Sequence, residues 1–220
     1  MPRALFEKKG NAIWISHLDL MRLFQRSFKR AGLSLTHTQG FNPRPSVSIA
    51  LPLSVGVESQ CELLDFDLDG QQISCEEICT RLNENLIPGV KVLLVYENGR
   101  KLKDLAYLHC SLSLEYDNGV PGGAEDAITH LFAQEAVSVP KKTKNNGIQD
   151  QNIIPMIQSL RVRRVGEREV VLDAVVCCQN PTLNPMQLHL AIERYLPEWK
   201  PDFVRCSRLE IFDVNSEVFR

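Results

Sequence analysis

The chain has 220 residues, 44% hydrophobic and 24% charged, a balance ordinary for a globular protein and large enough for one domain or two of about 100 residues. No stretch approaches the roughly 18 apolar residues that span a bilayer, and the first ten residues lack a signal-peptide core, so a cytoplasmic protein is expected. The net charge of −2 hides an asymmetry: residues 1–50 hold eight Lys/Arg against two Asp/Glu, a balance of +6, and the remaining 170 carry −8. Such sorting points to an anionic partner or to an acidic surface elsewhere in an assembly.

In chain order, residues 3–8 and 12–15 read as a β-hairpin turning at Lys9-Gly10-Asn11. Ser16 is placed to cap a helix, with Asp19 three residues on in the position of a capping-box acid. Apolar residues Met21, Phe24, Phe28 and Ala31 recur at helical spacing and predict a buried stripe, and Gly32 supplies a stop. Residues 33–38 read as a strand. Pro43 and Pro45 then keep the Gly40–Pro45 segment out of regular structure. Strands are expected over 47–53 and 61–68, a helix from Ser74 to about Leu86, and a β-branched strand over 90–96. This order, β-α-β-β-α-β, is the split βαβ arrangement of ferredoxin-like domains.

The order recurs after Asn98-Gly99-Arg100. Residues 107–116 predict a strand, 124–134 a helix, 137–142 an extended segment and 141–147 a polar loop. A hairpin over 160–165 and 169–178, a helix over 185–196 and a last strand over 204–214 complete the second set. The fold class is therefore α+β, two tandem ferredoxin-like units, residues 1–100 and 101–220.

Seven cysteines in a chain without a secretion signal read as reduced thiols packed as small apolar residues. Cys75 and Cys79 lie four apart on one helix, but Leu82 stands where an iron–sulfur CxxxCxxC would place its last ligand. No intrinsic metal or cofactor is expected.

The first helix carries Arg22, Arg26, Lys29 and Arg30 opposite its apolar stripe, a basic face about 12 Å long at 1.5 Å rise per residue. Guanidinium groups on such a face suit phosphate, although a charged helix face is also what solvation alone requires. His17, at the helix start, either serves as a general acid or base or simply packs at the N-terminus, where the dipole favours its neutral form. His37 follows on the next element, and two histidines beside a basic helix are the minimal kit of a metal-independent ribonuclease. In the following loop, Gln39, Phe41, Asn42 and Arg44 offer a stacking ring, amides and a charge, as single-stranded RNA is often held, unless Phe41 tucks into the core. The acidic run Glu58, Glu62, Asp65, Asp67 and Asp69 has period-two members that alternate with Leu64, Phe66 and Leu68, which predicts the solvent face of a strand rather than a cation site. Arg161, Arg163 and Arg164 form a second basic cluster, consistent with the charge that protects an exposed sheet edge.

The segments Ile15-Ser16-His17-Leu18-Asp19-Leu20-Met21-Arg22, Arg30-Ala31-Gly32, Gln39-Gly40-Phe41-Asn42-Pro43, Pro52-Leu53 and Gly56 resemble the radical-SAM-linked protein family, fused to or encoded beside B12-binding-type radical SAM proteins. The resemblance is dense over residues 3–68 and looser downstream, where 150–160 and the final strand match best. Arg44 and Thr38 stand where the family often has histidine and serine. The resemblance implies an auxiliary partner of a radical SAM protein. The family's gene neighbourhood, with an RNase of the E/G type and ribosomal proteins, points to RNA, either tRNA or rRNA. A more distant similarity to duplicated ferredoxin-like RNA-processing proteins is one of fold.

Together these readings predict an accessory protein, non-catalytic or weakly catalytic, that binds RNA through the basic helix and loop. The alternatives are a metal-independent endonuclease using His17 and His37, or a module that docks on the radical SAM partner through protein contacts alone.

Overall fold

A computed structural model describes residues 1–70, 72–142 and 147–220. The chain divides into two compact units, Met1–Asp104 with Arg220, and Leu105–Phe219.

The first unit contains β1 (Arg3–Lys8), α1 (His17–Arg30), β2 (Val47–Ile49), β3 (Val57–Phe66), α2 (Cys75–Asn83) and β4 (Val90–Tyr96). Its strands lie in the antiparallel order β4-β1-β3-β2, with Leu5 opposite Leu63 and Leu94. The helices cover one face through a core that includes Ala4, Phe6, Phe24, Phe28, Leu64, Phe66, Ile78 and Leu82. Phe6 meets Phe24 edge-on at 4.8 Å between ring centroids, and Phe28 meets Phe66 at 4.9 Å.

The second unit repeats the plan with β5 (Leu105–Glu115), α3 (Ala124–Phe132), β8 (Ile157–Val165), β9 (Glu169–Cys177), α4 (Met186–Tyr195) and β10 (Phe203–Asp213). Its order, β10-β5-β9-β8, is the same antiparallel permutation as in the first unit. A small hairpin, β6 (Ser138–Lys142) with β7 (Ile148–Asn152), is inserted between α3 and β8. The strand β7 was not expected from the sequence. Most of the polar loop expected over 141–147 lies outside the described residues. The protein is thus α+β, with two ferredoxin-like units.

Three local expectations are corrected. The hairpin over residues 3–15 does not form: Gly10–Trp14 make a 3-10 turn. Both edges of β1 are already occupied, by β3 and β4, so no ladder remains for a returning strand. The buried Lys8 ammonium, 1% exposed, instead donates to the carbonyls of Ile13 and Ile15 at 3.1 and 2.9 Å and draws the turn back across the strand end. Burial pushes the Lys8 pKa down, against the opposing pull of Glu62. Residues 33–38 make only isolated bridges, Leu35 to Leu68 and His37 to Pro45, because each residue finds a different partner and Pro45 has no N–H to extend a ladder. The strand expected over 47–53 ends at Ile49, ahead of Leu51 at φ 47° and Pro52.

The acidic strand is also corrected. Glu62 is 1% exposed, and Asp65 pairs with the Arg3 guanidinium at 2.5 Å, so this part of the run lies inside the unit. Arg3 donates further to the Arg100 carbonyl at 2.9 Å. Period-two alternation marks two faces of a strand, and it places Glu62 on the face of Leu64 and Phe66, which is the core, and Asp65 on the other, beside Arg3.

Gly89 holds the entry to β4 against the turn after β1. Its carbonyl accepts the Lys9 N–H at 2.7 Å, its φ is +88°, and an added Cβ would lie 2.4 Å from the Lys9 carbonyl oxygen. Gly89→Ala should therefore cost about 2 kcal/mol or more, read as a lower urea midpoint at unchanged slope. An unchanged midpoint would refute this account of the junction.

Candidate nucleic-acid interface

Helix α1 begins as its sequence predicts. The Ser16 Oγ accepts the Asp19 N–H at 3.2 Å and donates to the Asp19 carboxylate at 2.7 Å. Leu20, Phe24, Ser27 and Phe28 are buried, with Met21 and Ala31 packed at the margin. Beyond Gly32, at φ +68°, the Leu33 N–H returns to the Phe28 carbonyl at 2.9 Å.

The basic residues share the exposed side of α1 opposite Phe24 and Phe28, but they line two different depressions. Arg22, Arg26 and Arg30 stand at four-residue steps along one flank, beside an open depression of about 540 Å³ shared with Ile15, Asp19, Leu23 and Ile87. Lys29 lies on the other flank, in a depression of about 360 Å³ with Gln25, Phe28, Leu35, His37 and Pro45. An acid does interleave on the arginine flank: Asp19 accepts from Arg22 at 2.9 Å, and the Ser16 hydroxyl and Arg22 hold its carboxyl below the usual carboxylate range. Arg30 is committed elsewhere, donating to the Asn85 carbonyl at 2.5 Å and to the Ser27 hydroxyl at 3.1 Å. Among the described residues, the Arg26 and Lys29 side chains make no hydrogen bond or ion pair.

The loop after His37 is pinned at its base and free at its tip. The Thr38 N–H donates to the Arg44 carbonyl at 2.8 Å, and the Arg44 N–H returns to the Thr38 hydroxyl at 3.0 Å. One step further in, Thr36 receives the Ser46 N–H at 2.8 Å and donates its own hydroxyl to Asp67 at 3.1 Å. Two tiers of hydrogen bonds therefore support the tip, and Phe41 projects from it with 109% relative exposure. Phe41 is not in the core. Gln39, Asn42 and Arg44 are also exposed, and their side chains have no partner among the described residues.

His17 and His37 are not brought together. His17 opens α1, whereas His37 lies beside Lys29, twelve residues and roughly 18 Å further along the helix axis. Among the described residues, no three His, Cys, Asp or Glu side chains are grouped to hold a metal ion. Cys79 instead packs with its thiol toward the Val92 carbonyl at 3.6 Å, its pKa raised by burial. Among the described residues, no helix is long and apolar enough to cross a membrane.

Residues 2–185 match the family described as "Uncharacterized protein conserved in bacteria (DUF2344)". The chain belongs to this family. A search of curated proteins finds no match. Among solved structures, the chain is similar to one in the crystal structure of a Cbf5-Nop10-Gar1 complex, at 9% identity and a TM-score of 0.52, covering 96% of this chain and 48% of that one. It is also similar to a chain in a structure of an H/ACA RNP bound to a substrate RNA containing 2′-deoxyuridine, at 8% identity and a TM-score of 0.49, covering 94% and 46%. The DUF2344 chain spans about half the length of each of these, and the first likeness is one of fold.

The arginines separate by role. Arg30→Ala should lower stability by about 1 kcal/mol, because the Asn85 carbonyl loses a charged donor, whereas Arg26→Ala should leave the unfolding midpoint unchanged. Chemical denaturation of the two variants checks this, and equal effects would contradict it. Asp19 predicts a pH dependence. Its folded pKa lies below the ordinary 3.8, so its contribution to stability is present above that value and disappears as pH falls through the folded pKa. Wild type should therefore exceed Asp19→Asn in stability near neutral pH, and the gap should close below about pH 4 in a melting series. A gap independent of pH would show that the carboxylate charge is not the cause.

Proposed function

We propose that this DUF2344 protein binds single-stranded RNA on the first unit, using the loop tip at Phe41 together with the cations of α1, and that it performs no chemistry on the strand. The observation that carries this reading is the complete exposure of Phe41 on a loop held rigid at its base. An aromatic ring left entirely in water contributes nothing to packing, and water contact disfavours it. With Arg44 on the same loop and Lys29 beside the loop stem, it has the composition of a stacking platform within a positive field.

The depression between α1 and the loop stem supports the same reading. Phe28, Leu35 and Pro45 give it apolar walls, and Lys29 and His37 stand at its side, a combination suited to a base next to a phosphate. The endonuclease alternative is less well supported, since His37 lies beside Lys29, roughly 18 Å along the α1 axis from His17. The resemblance over residues 3–68 to radical-SAM-linked proteins makes a radical SAM protein the proposed partner, with RNA presented to it by this surface. The partner would supply the cluster and the radical chemistry, in keeping with a chain whose own cysteines are packed as apolar residues.

Filter binding of a fluorescent single-stranded RNA across a salt series tests the proposal. Affinity should fall with rising salt, with a log–log slope of about −0.7 per phosphate neutralised. Phe41→Ala should weaken binding by about tenfold at any salt, matching roughly 1–3 kcal/mol per stacked base, and Arg26→Ala with Lys29→Ala should flatten the slope. Absence of salt-dependent binding would overturn the RNA reading. If a radical SAM partner were captured equally well after nuclease treatment and lost on Arg26→Glu, the surface would be a protein-docking face instead.

A further inference from the structure

The second unit carries a side-chain cluster that the α1 surface does not use. On the sheet face turned away from the buried core, Ser159, Arg161 and Arg163 of β8 meet Asp173 and Val175 of β9 and His109 of β5 around an open depression of about 440 Å³. Arg161 lies directly opposite Asp173, and Arg163 opposite Val171. Residues two apart on a strand share a face, so the two arginines leave the backbone about 7 Å from one another.

The usual neutralising contact is missing. Asp173, the carboxylate opposite Arg161, is engaged by His109 through a short bond between Nε2 and Oδ1. Other acids on these strands are also engaged: Glu169 accepts the Ser113 hydroxyl, Glu115 pairs with Arg205, and Glu210 accepts the Ile211 N–H at 2.9 Å. Arg164 is spent on the carbonyls of Gly166 and Glu167. Arg161 and Arg163 are exposed, and among the described residues their side chains make no hydrogen bond or ion pair.

Protection of a sheet edge would account for charge on β8. It does not account for a concave site, nor for a histidine that occupies the acid facing Arg161. We propose that Arg161, Arg163, Ser159 and the His109–Asp173 pair form a binding site for a phosphate group, as a monoester or a diester. A planar carboxylate is satisfied by one bidentate guanidinium. Two guanidiniums flanked by a hydroxyl surround the oxygens of a tetrahedral anion. Asp173 is a positioning residue here, holding the His109 ring and leaving both arginines to the ligand. The site is independent of the RNA surface on the first unit.

The test is NMR of the His109 ring in the full chain, assigned through His109→Gln, titrated in separate arms with inorganic phosphate and with a short single-stranded RNA. At least one arm should give a saturable shift. Arg161→Gln with Arg163→Gln should weaken that binding at least tenfold, with an unchanged melting temperature because both side chains are exposed and unpaired. Response to phosphate but not RNA identifies a monoester or free-phosphate site, and response to RNA identifies a diester site. Arg22→Ala with Arg26→Ala on α1 should leave the shift unaltered, which separates failure of this site from failure of the first-unit reading. No saturable shift in either arm, or a shift that survives the double Gln variant, would overturn the proposal.

Discussion

The rotation of α1 about its own axis is set by two aromatic contacts, Phe24 on Phe6 and Phe28 on Phe66. Full burial of a phenylalanine is worth roughly 1.5–3 kcal/mol, whereas a solvent-exposed pair such as Arg22 with Asp19 is screened by water and contributes far less. The aromatics therefore decide, and the cations go where the buried stripe leaves room. That places Arg22, Arg26 and Arg30 on one flank and Lys29 on the other, where it adjoins the stem of the Phe41 loop. A helix turned by one residue would bury charge and scatter the flank.

The same fold is used differently in the two units. In the first, the exposed chemistry lies on a helix and on the loop joining it to the next strand, and the loop is rigid because Thr36, Thr38, Arg44 and Ser46 bond across its base. In the second, alternate residues of neighbouring strands present His109, Arg161, Arg163 and Asp173 on a sheet face. A ferredoxin-like unit offers both surfaces, since its helices cover only one side of the sheet. Membership of the DUF2344 family describes ancestry, and the likeness to a chain of the Cbf5-Nop10-Gar1 complex describes fold alone; activity is argued from the residues.

Much of the architecture was legible in the chain because it depends on local periods. The α1 stripe, its Ser16 cap and its Gly32 stop are all properties of about 17 consecutive residues, as is the alternation along β5 and β9. Elements whose form depends on what lies beside them were not legible. Residues 12–15 have the pattern of a strand but find β1 already paired on both sides. Asp65 alternates with Leu64 and Phe66 like a surface residue yet pairs with Arg3, and Glu62 lies on the same face as Leu64 and Phe66 and is buried with them. At the interface, the sequence located the exposed loop residues but could not show that Asp19 neutralises Arg22 or that Arg30 serves the Asn85 carbonyl.

The two β-α-β-β-α-β sets, the capped basic helix and the proline-stiffened loop follow from the residues of each segment alone, since backbone propensity and side-chain period act within a few turns of chain. The tertiary structure decided which charges remain available. His109 meets Asp173 across 64 residues, and Arg161 faces that same carboxylate, only because the strand order and register of β5, β9 and β8 bring them together. Register is a property of pairs of segments, and a carboxylate near two cations bonds the one that geometry places closest.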